Sequence, residues 1–267
     1  MDYGIIKPPP HLASFVRFYW FIEGNLPYVH HAYAYPCPEI VFCYKGRFRY
    51  GVGHSNDTEL VSGVFGQTDT FSRVRLADEH FGILGIYLYP HALPQLFGMP
   101  ANDLTNHYAD VKSILGRDGE ALEEQIALAS DNQQRAKLVS DFLGARLKNA
   151  MTESNTISFS ITAIVNDFHS GSVKTLADIN CLSLRQFERQ FKKLSGFSPR
   201  SFLRIMRFNS VLNKDYQHKS LTEIGIECGY YDQSHFIHDF RKFSGISPKK
   251  YFKKETHNAV DRGTVEF

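Results

Sequence analysis

Two stretches of the chain, residues 182–199 and 231–248, carry side chains that can exchange hydrogen bonds and charge with a polar surface. In the first stretch the outward-facing positions are Arg185, Glu188, Arg189 and Lys192, and in the second they are Gln233, Ser234 and His238. Guanidinium, amide, carboxylate and imidazole groups differ in the donors and acceptors they present. Such a set on one face of a helix is suited to recognising a pattern of donors and acceptors.

The two stretches repeat one pattern at a constant offset of 49 residues. Seven positions are identical in register: Phe187/Phe236, Phe191/Phe240, Lys193/Lys242, Ser195/Ser244, Gly196/Gly245, Ser198/Ser247 and Pro199/Pro248. Phenylalanines four residues apart share one face of a helix. Glycine ends a helix, and Ser-Pro begins the next. The repeat therefore predicts two similar helical units side by side.

The elements of the first unit follow from caps and apolar spacing. A helical stripe at 157–168 would end near Gly171, and a short helix is expected at 173–180. Ser183, with Gln186 three residues later, is a capping box that opens the next helix, and Gly196 ends it. The buried face of that helix is predicted to be Leu184, Phe187, Phe191 and Leu194.

The helix that should begin at Pro199, after the cap at Ser198, and end near Asn213 is apolar on two sides. One side carries Phe202, Met206 and Asn209, and the other carries Ile205, Phe208 and Leu212. A helix with two apolar sides lies between two packed bodies. It would span on the order of 22 Å and fix the distance between the units.

The second unit repeats the plan and completes a recognisable motif. Ser220 and Glu223 form a capping box, Gly229 ends that helix, and Asp232 caps the next. Its buried face is predicted to be Phe236, Phe240 and Phe243, and a last helix follows Pro248. A short helix, a tight turn and a capped polar helix make a helix-turn-helix, whose second helix enters the major groove of DNA. An all-α packing unit is the plainer alternative, which the doubling disfavours.

The charge of the chain is divided unevenly. Residues 1–157 hold 13 Lys and Arg against 17 Asp and Glu, whereas residues 183–254 hold 15 against 6. A basic segment joined to a mildly acidic one indicates an anionic partner for the basic segment alone. A solvated charged face is the alternative, and charge by itself does not separate the two.

The N-terminal half predicts an antiparallel β-sandwich or barrel. Short β-branched or aromatic runs, separated by Gly, Pro, Asn or Asp, occur at 16–23, 39–44, 47–50, 60–66, 70–76 and 81–89. Lys45-Gly46 is a plausible hairpin turn between two of them. Beyond Pro90, helices are expected at 91–97, at 120–130 and, capped by Asp131, at about 132–148.

Two features of this half bear on partners. The apolar stripe of the last helix, Ala136, Val139, Phe142, Leu143 and Leu147, is expected to pack on its own domain, with dimerisation as an alternative. The concave interior of a β module could hold a small ligand. The candidate metal ligands are His30 and His31, with Glu39 and His54 nearby. The two histidines are not expected to bind one metal ion, because adjacent residues of a strand point to opposite faces of the sheet. Trp20 and the neighbouring aromatic residues are interpreted as core rather than as a ligand cage.

The sequence lacks the features typical of membrane, secreted and metal-binding proteins. No apolar run is long enough to span a membrane, and the N-terminus does not resemble a signal peptide, so a cytoplasmic protein is expected. Cys37, Cys43, Cys181 and Cys228 include no CxxC pair and are interpreted as free buried thiols. No cofactor and no metal are predicted.

At residues 158–254 the chain resembles the paired helix-turn-helix domain of the AraC/XylS transcription regulators. The segment 224–248, IGIECGYYDQSHFIHDFRKFSGISP, follows that family's line "I-A-x-x-x-G-F-x-D-x-S-x-F-x-R-x-F-K-x-x-x-G-x-S-P" almost position for position. Gly225 replaces the usual Ala and His238 the usual Arg. More weakly, the Pro8-Pro9-Pro10-His11-Leu12 start and the strand at 82–90 are similar to the cupin-like sensor domains of such regulators.

The resemblance implies a set of DNA contacts. Base readers would be Arg185, Gln186, Glu188 and Arg189 in the first unit and Gln233, Ser234 and His238 in the second. This suits their chemistry, because Arg favours guanine, Gln adenine and Glu cytosine. Phosphate contacts or general basicity would come from Lys192, Lys193, Arg207, Arg241, Lys242, Lys249 and Lys250. The arginines of the first unit are expected to dominate base discrimination.

The sequence therefore predicts a two-domain α+β protein that regulates transcription and is not an enzyme. Residues 1–150 would be a cupin-like sensor or dimerisation domain with appended helices, 151–157 a linker, 158–254 the DNA-binding domain and 255–267 a polar tail. Expected partners are double-stranded DNA, the transcription machinery, a small effector and a second copy of the chain, with no membrane. The alternatives are a ligand receptor that does not read DNA and a DNA-repair enzyme with an acceptor cysteine, although neither Cys37 nor Cys43 has a positioned partner.

Overall fold

The computed structural model describes residues 1–25, 29–54, 56–149, 156–167, 172–212, 216 and 219–253. The strands are β1 (Asp2–Ile6), β2 (Val16–Gly24), β3 (Val29–Ala32), β4 (Glu39–Lys45), β5 (Phe48–Val52), β6 (Thr58–Leu60), β7 (Gly63–Phe65), β8 (Ser72–Leu76), β9 (Phe81–Leu88) and β10 (Tyr108–Asp110). The helices of the N-terminal half are α1 (Ala92–Phe97), α2 (Val111–Leu128) and α3 (Asn132–Asn149). Those of the C-terminal half are α4 (Thr156–Asn166), α5 (Val173–Ile179), α6 (Leu184–Ser195), α7 (Pro199–Leu212), α8 (Leu221–Glu227), α9 (Gln233–Ser244) and α10 (Pro248–Lys253).

The strands form two antiparallel sheets that face each other, which confirms a sandwich and not a closed barrel. One sheet has the order β1-β2-β9-β4-β7-β10, and the other has the order β3-β8-β5-β6. Between them lies a small core that includes Ile22, Phe48, Leu60 and Phe81. Sheets of this kind bury alternate side chains on their inner faces. The interior of the sandwich is therefore built from side chains of both sheets.

Two turns of the sandwich differ from expectation. The predicted hairpin at Lys45-Gly46 is wrong, because β4 pairs with β7 and β9, whereas β5 pairs with β6 and β8. The single strand expected at 60–66 is wrong as well, since β6 and β7 lie in different sheets. In both places the chain crosses from one sheet to the other. A short extended run with a turn residue does not reveal such a crossing.

The appended helices cover the outer face of the six-stranded sheet. Asp131 caps α3 by accepting a hydrogen bond from the Gln134 N–H at 2.8 Å, as predicted. Of the α3 stripe, Ala136, Val139 and Leu143 are buried in the core of the N-terminal domain. The expectation that the stripe packs on its own domain is thus confirmed. Helix α2 begins nine residues earlier than expected, at Val111, and kinks at Gly116.

The helices expected from α5 to α10 are all present, and α7 lies between two bodies as predicted. Phe202, Ile205 and Phe208 of α7 are completely buried. Leu184, however, was wrongly placed on the buried face of α6, since it lies in the first turn of the helix and is 44% exposed. Cys181 is also exposed, contrary to expectation, while Cys37 and Cys228 are buried; all four thiols are free.

Some expectations fall where the structure does not describe the chain. These are Phe168 and Gly171 at the end of α4, Asn213 at the end of α7, residues 151–155 of the expected linker and the tail at 255–267. Helix α4 begins at Thr156, so the last two residues of the expected linker are helical. Within the described residues, no helix has the length and apolar character needed to cross a membrane.

Candidate nucleic-acid interface

The sequence repeat is also a repeat of side-chain contacts. Ser195 and Ser244 are both buried, and each hydroxyl lies 3.1 Å from the carbonyl oxygen two residues later; the Ser244 hydroxyl also lies 2.6 Å from the Phe240 carbonyl oxygen. Gly196 and Gly245 follow with φ of 80° and 74° and end α6 and α9. A left-handed residue at this position is a common way to end a helix. The two units therefore share one local architecture, as the offset of 49 predicted.

The N-terminal turn of α6 is held by the predicted capping box. The Ser183 hydroxyl accepts from the Gln186 N–H at 3.3 Å, and the Gln186 Oε1 accepts from the Ser183 N–H at 3.1 Å. This engages the carbonyl oxygen of Gln186 and leaves its amide nitrogen as the group able to donate to a base. Arg185 and Arg189 are exposed and, with Ser183 and Gln186, border a surface depression of about 560 Å³.

The recognition helix of the second unit, α9, is capped differently. The Asp232 carboxylate accepts from the His235 N–H at 2.8 Å and lies 3.0 Å from the His235 Nδ1. Gln233, Ser234 and His238 are exposed, as a base-reading role requires. His235 is exposed beside them, but sequence analysis overlooked it. Its position in the first turn after the Asp232 cap was the available signal.

The predicted phosphate contacts divide into two groups. Lys192, Lys193, Arg241, Lys249 and Lys250 are exposed on the surface. Arg207 is half-buried, with its guanidinium 5.3 Å from the ring centroid of Tyr230. Lys242 is exposed but forms an ion pair with Asp69 of the N-terminal domain, with Nζ to Oδ2 at 2.6 Å. This pair joins a basic residue of α9 to the β-sandwich.

A second ion pair fixes α9 on the central helix. Arg204 of α7 reaches the buried Asp239 of α9 with two hydrogen bonds, of 2.5 and 3.2 Å. Two parallel bonds between guanidinium and carboxylate restrict orientation as well as distance. Because α7 also packs on α6, it links the two recognition helices mechanically.

The N-terminal domain contacts both units through the loop 66–71, which joins β7 to β8. Gln67 lies against Gly196 and donates to Thr105 Oγ1 at 2.7 Å, and Thr105 donates to the Gly196 carbonyl at 3.2 Å. Phe71 lies against Gly245. In addition, the Ala34 N–H donates to the Phe243 carbonyl at 2.9 Å. The carboxyl ends of both recognition helices therefore rest on the sandwich.

The sandwich also contains a partly open cavity of about 90 Å³. Trp20, interpreted from the sequence as core, lines it together with Tyr35, Tyr50, Phe65 and Tyr87. Cys37 lies in the wall of the cavity, and burial raises the pKa of its thiol. This favours the protonated thiol, which is less nucleophilic than the thiolate. In the part of the chain that the structure describes, no three His, Cys, Asp or Glu side chains are grouped as a metal site would require. His30 and His31 pair with successive residues of β8, as two adjacent strand residues do.

Two family models match the chain. Residues 5–110 match a domain of unknown function, DUF6597, and residues 176–254 match a helix-turn-helix domain. The transcriptional activator RhaS of Enterobacter sp. (strain 638) is 34% identical over 82 residues, which are 30% of this chain and 29% of that protein. RhaS of Escherichia fergusonii is 29% identical over 139 residues, which are 48% of this chain and 49% of that protein.

The matched segments thus span half or less of the length of these curated relatives. Among solved structures, an apo form of ToxT from Vibrio cholerae aligns over 89% of this chain and 98% of that chain, with a TM-score of 0.48 and 11% identity. The helix-turn-helix model at residues 176–254 covers both of the repeated helical units.

Proposed function

We propose, from the premise that the C-terminal domain of this chain is a helix-turn-helix domain of the AraC/XylS type, that the protein binds specific DNA sequences and regulates transcription. One observation carries the proposal. Two equivalent capped helices, α6 and α9, present their polar first turns to solvent while their carboxyl ends are anchored. A recognition helix contacts base edges with its N-terminal residues.

The proposed contacts are those that the resemblance implies. Base readers are Arg185, Gln186, Glu188, Arg189, Gln233, Ser234 and His238. Phosphate contacts are Lys192, Lys193, Arg207, Arg241, Lys242, Lys249 and Lys250. Since α7 packs against both units, the recognition helices would enter successive major grooves, about 34 Å apart.

The N-terminal domain would control this activity. Its cavity offers a site for a small effector, and its loop 66–71 touches both recognition helices. The proposal keeps the division into a sensor domain (1–150), a linker (151–157), a DNA-binding domain (158–254) and a tail (255–267). It includes contact with the transcription machinery, association of two copies and a cytoplasmic location, and it involves no catalytic step.

The test is selection from a pool of random DNA duplexes by the full chain. We expect an enriched motif with two preferred patches about one helical turn apart. Arg185→Ala combined with Arg189→Ala should erase only one patch, and Gln233→Ala combined with His238→Ala only the other. Recovery of no motif contradicts sequence-specific binding. A single patch that both double variants weaken equally contradicts the assignment of two reading helices.

A further inference from the structure

We propose that the cavity of the β-sandwich binds a small organic cation, an ammonium or guanidinium group that carries a short apolar body. The inference deepens the proposed function by naming the class of the effector, and its regulatory part rests on that function.

Aromatic rings make up much of the cavity wall. The rings are those of Trp20, Tyr35, Tyr50, Phe65 and Tyr87. Tyr50 and Phe65 pack edge to face at 5.0 Å, and Tyr35 and Tyr87 do so at 5.2 Å, so four of the five rings form two packed pairs. The face of an aromatic ring attracts a cation, and several rings around one volume form a cage for an alkylated ammonium group.

One carboxylate faces this aromatic wall. Glu39 lines the cavity, and the Trp20 indole N–H donates to its Oε1. Among the residues that the structure describes, no Lys, Arg or His forms an ion pair with Glu39. Burial raises the pKa of Glu39 to about 8, against the lowering effect of the Trp20 hydrogen bond. A buried carboxylate is costly unless a positive charge accompanies it, and a cationic ligand would supply that charge.

The arginine beside the cavity does not offer a matching site for an anion. The Arg17 guanidinium donates to the Tyr35 hydroxyl and lies 3.7 Å from the Cys37 Sγ. It also lies 5.7 Å from the ring centroid of Tyr35 and 5.9 Å from that of Tyr89. Arg17 is thus engaged by the protein behind the wall and is not part of the cavity lining. Of Arg17 and Glu39, only Glu39 lines the cavity.

The wall of the cavity continues into the contacts that hold the recognition helices. Tyr35 and Thr68 both line the cavity and exchange two backbone hydrogen bonds of 2.9 Å. Thr68 belongs to the loop 66–71, and Tyr35 follows Ala34, which is bonded to Phe243. A ligand that moves either residue therefore acts on the segments that contact both units. A ligand shifts the arrangement of two domains only if it binds one arrangement more tightly than the other, and contact with these segments allows such a difference.

The sole tryptophan of the chain reports on this site, because Trp20 both lines the cavity and contacts Glu39. The full chain is titrated with the chlorides of n-butylammonium, tetramethylammonium and n-butylguanidinium, and with sodium butyrate and 1-butanol, at constant ionic strength. We expect a saturable change of Trp20 emission with at least one cation, at a Kd about tenfold or more below those of butyrate and butanol. This comparison requires no variant.

Variants then locate the charge. Glu39→Gln keeps the size and polarity of the side chain and should weaken cation binding about tenfold or more while leaving butanol binding unchanged. Glu79→Gln, at an exposed position of the same domain, should bind the cation like the wild type. Far-UV circular dichroism checks that both variants are folded, and a misfolded Glu39→Gln is replaced by Glu39→Met.

The pH dependence of cation binding provides a further test. Binding of the cation should tighten as the pH rises toward the Glu39 pKa of about 8, because the carboxyl must release its proton to pair with the ligand. His30 and His107 also line the cavity. The tyrosines and Cys37 that face Glu39 are neutral over this range, since burial raises the pKa of each.

The inference is overturned if none of the three cations gives a saturable response, if butyrate or butanol binds as tightly, or if Glu39→Gln binds the cation like the wild type. DNA binding of the same wild-type preparation is measured separately by anisotropy with the selected duplex. If the cation binds in the cavity but the chain does not bind the duplex specifically, the proposed regulatory function is wrong and the proposed ligand class is kept. If the chain binds the duplex specifically but no cation binds in the cavity, the proposed ligand class is wrong and the proposed regulatory function is kept.

Discussion

Gly196 and Gly245, equivalent residues of the two helix-turn-helix units, both rest against the loop 66–71 of the β-sandwich. A methyl group at Gly196 would lie 1.4 Å from the Gln67 amide nitrogen, and one at Gly245 would lie 2.5 Å from the Phe71 ring. One short loop thus supports the carboxyl ends of both recognition helices. Their N-terminal turns, which carry the proposed base readers, are left facing away from the sandwich.

This support makes Gly196 sensitive to substitution. Gly98 has a similar left-handed backbone at the end of α1, with nothing within 4 Å of an added methyl group. Gly98→Ala should cost about 1–2 kcal/mol of unfolding free energy from backbone strain alone. Gly196→Ala should cost about 1 kcal/mol more, because Gln67 must give up hydrogen bonds to Ala101 and Thr105. Urea denaturation of both variants checks this, and equal losses would show that the contact is loose.

The ion pair between Asp69 and Lys242 should restrain DNA binding. Asp69→Ala frees Lys242 for a phosphate, so we expect DNA affinity to rise about two- to fivefold, the range of an exposed ion pair, and the salt slope to steepen by about one. Asp78→Ala removes the same charge from a pair with Arg47, 2.9 Å away on the N-terminal domain, and should leave the slope unchanged. Anisotropy titrations at several salt concentrations measure both. A slope of Asp69→Ala that matches Asp78→Ala contradicts the restraint.

Arg189 and Lys192 lie on the same helix but should behave differently. Arg189→Ala should cost about 1–3 kcal/mol of binding at one base position and relax the preference there. Lys192→Ala should weaken binding to all sequences evenly and shallow the salt slope. Competition with single-base variants of the selected duplex distinguishes these outcomes. An even loss from Arg189→Ala would reassign that residue to phosphate binding.

His91 should make the N-terminal domain sensitive to acid. It is 4% exposed, its Nε2 donates to the Ser14 carbonyl at 3.0 Å, and burial lowers its pKa from 6.5 to about 4. Because the unfolded chain takes up this proton more readily, stability that is present above pH 6.5 is lost as the pH falls toward 4. The loss between pH 7 and pH 5 is about 2 kcal/mol.

The measurement for His91 is the difference between two proteins. His91→Gln keeps a donor for Ser14 and removes the titrating group, so its unfolding free energy should fall about 2 kcal/mol less between pH 7 and pH 5 than that of the wild type. Denaturation midpoints at the two pH values give the comparison. Parallel curves for the two proteins would mean that His91 takes up a proton as readily in the folded state as in the unfolded state.

The helical domain was predictable because its signals are local. The start of a helix is indicated by two residues three positions apart, Ser183 with Gln186 in one unit and Ser220 with Glu223 in the other. Leu184 shows the limit of this reasoning. Its spacing fits the apolar face, but its side chain is 44% exposed in the first turn of α6.

The sandwich was predictable only as a class. Strand runs could be identified, but pairing partners lie far apart in the sequence, as when β2 pairs with β9. The hairpin expected at Lys45-Gly46 was wrong for this reason, since the strands on either side belong to different sheets. Trp20 was interpreted as core because an aromatic strand residue looks the same whether it faces packed side chains or a cavity.

The sequence by itself determined the doubled helix-turn-helix, its caps and the chemistry of its exposed turns, because these depend on spacings of three, four and 49 residues. Only the tertiary structure decided that Asp69 pairs with Lys242, that Gln67 and Phe71 support the two equivalent glycines, and that Glu39 faces an aromatic cavity. Each of these contacts joins residues distant in the chain. Their geometry follows from how the two sheets and the helices pack together, which no local pattern specifies.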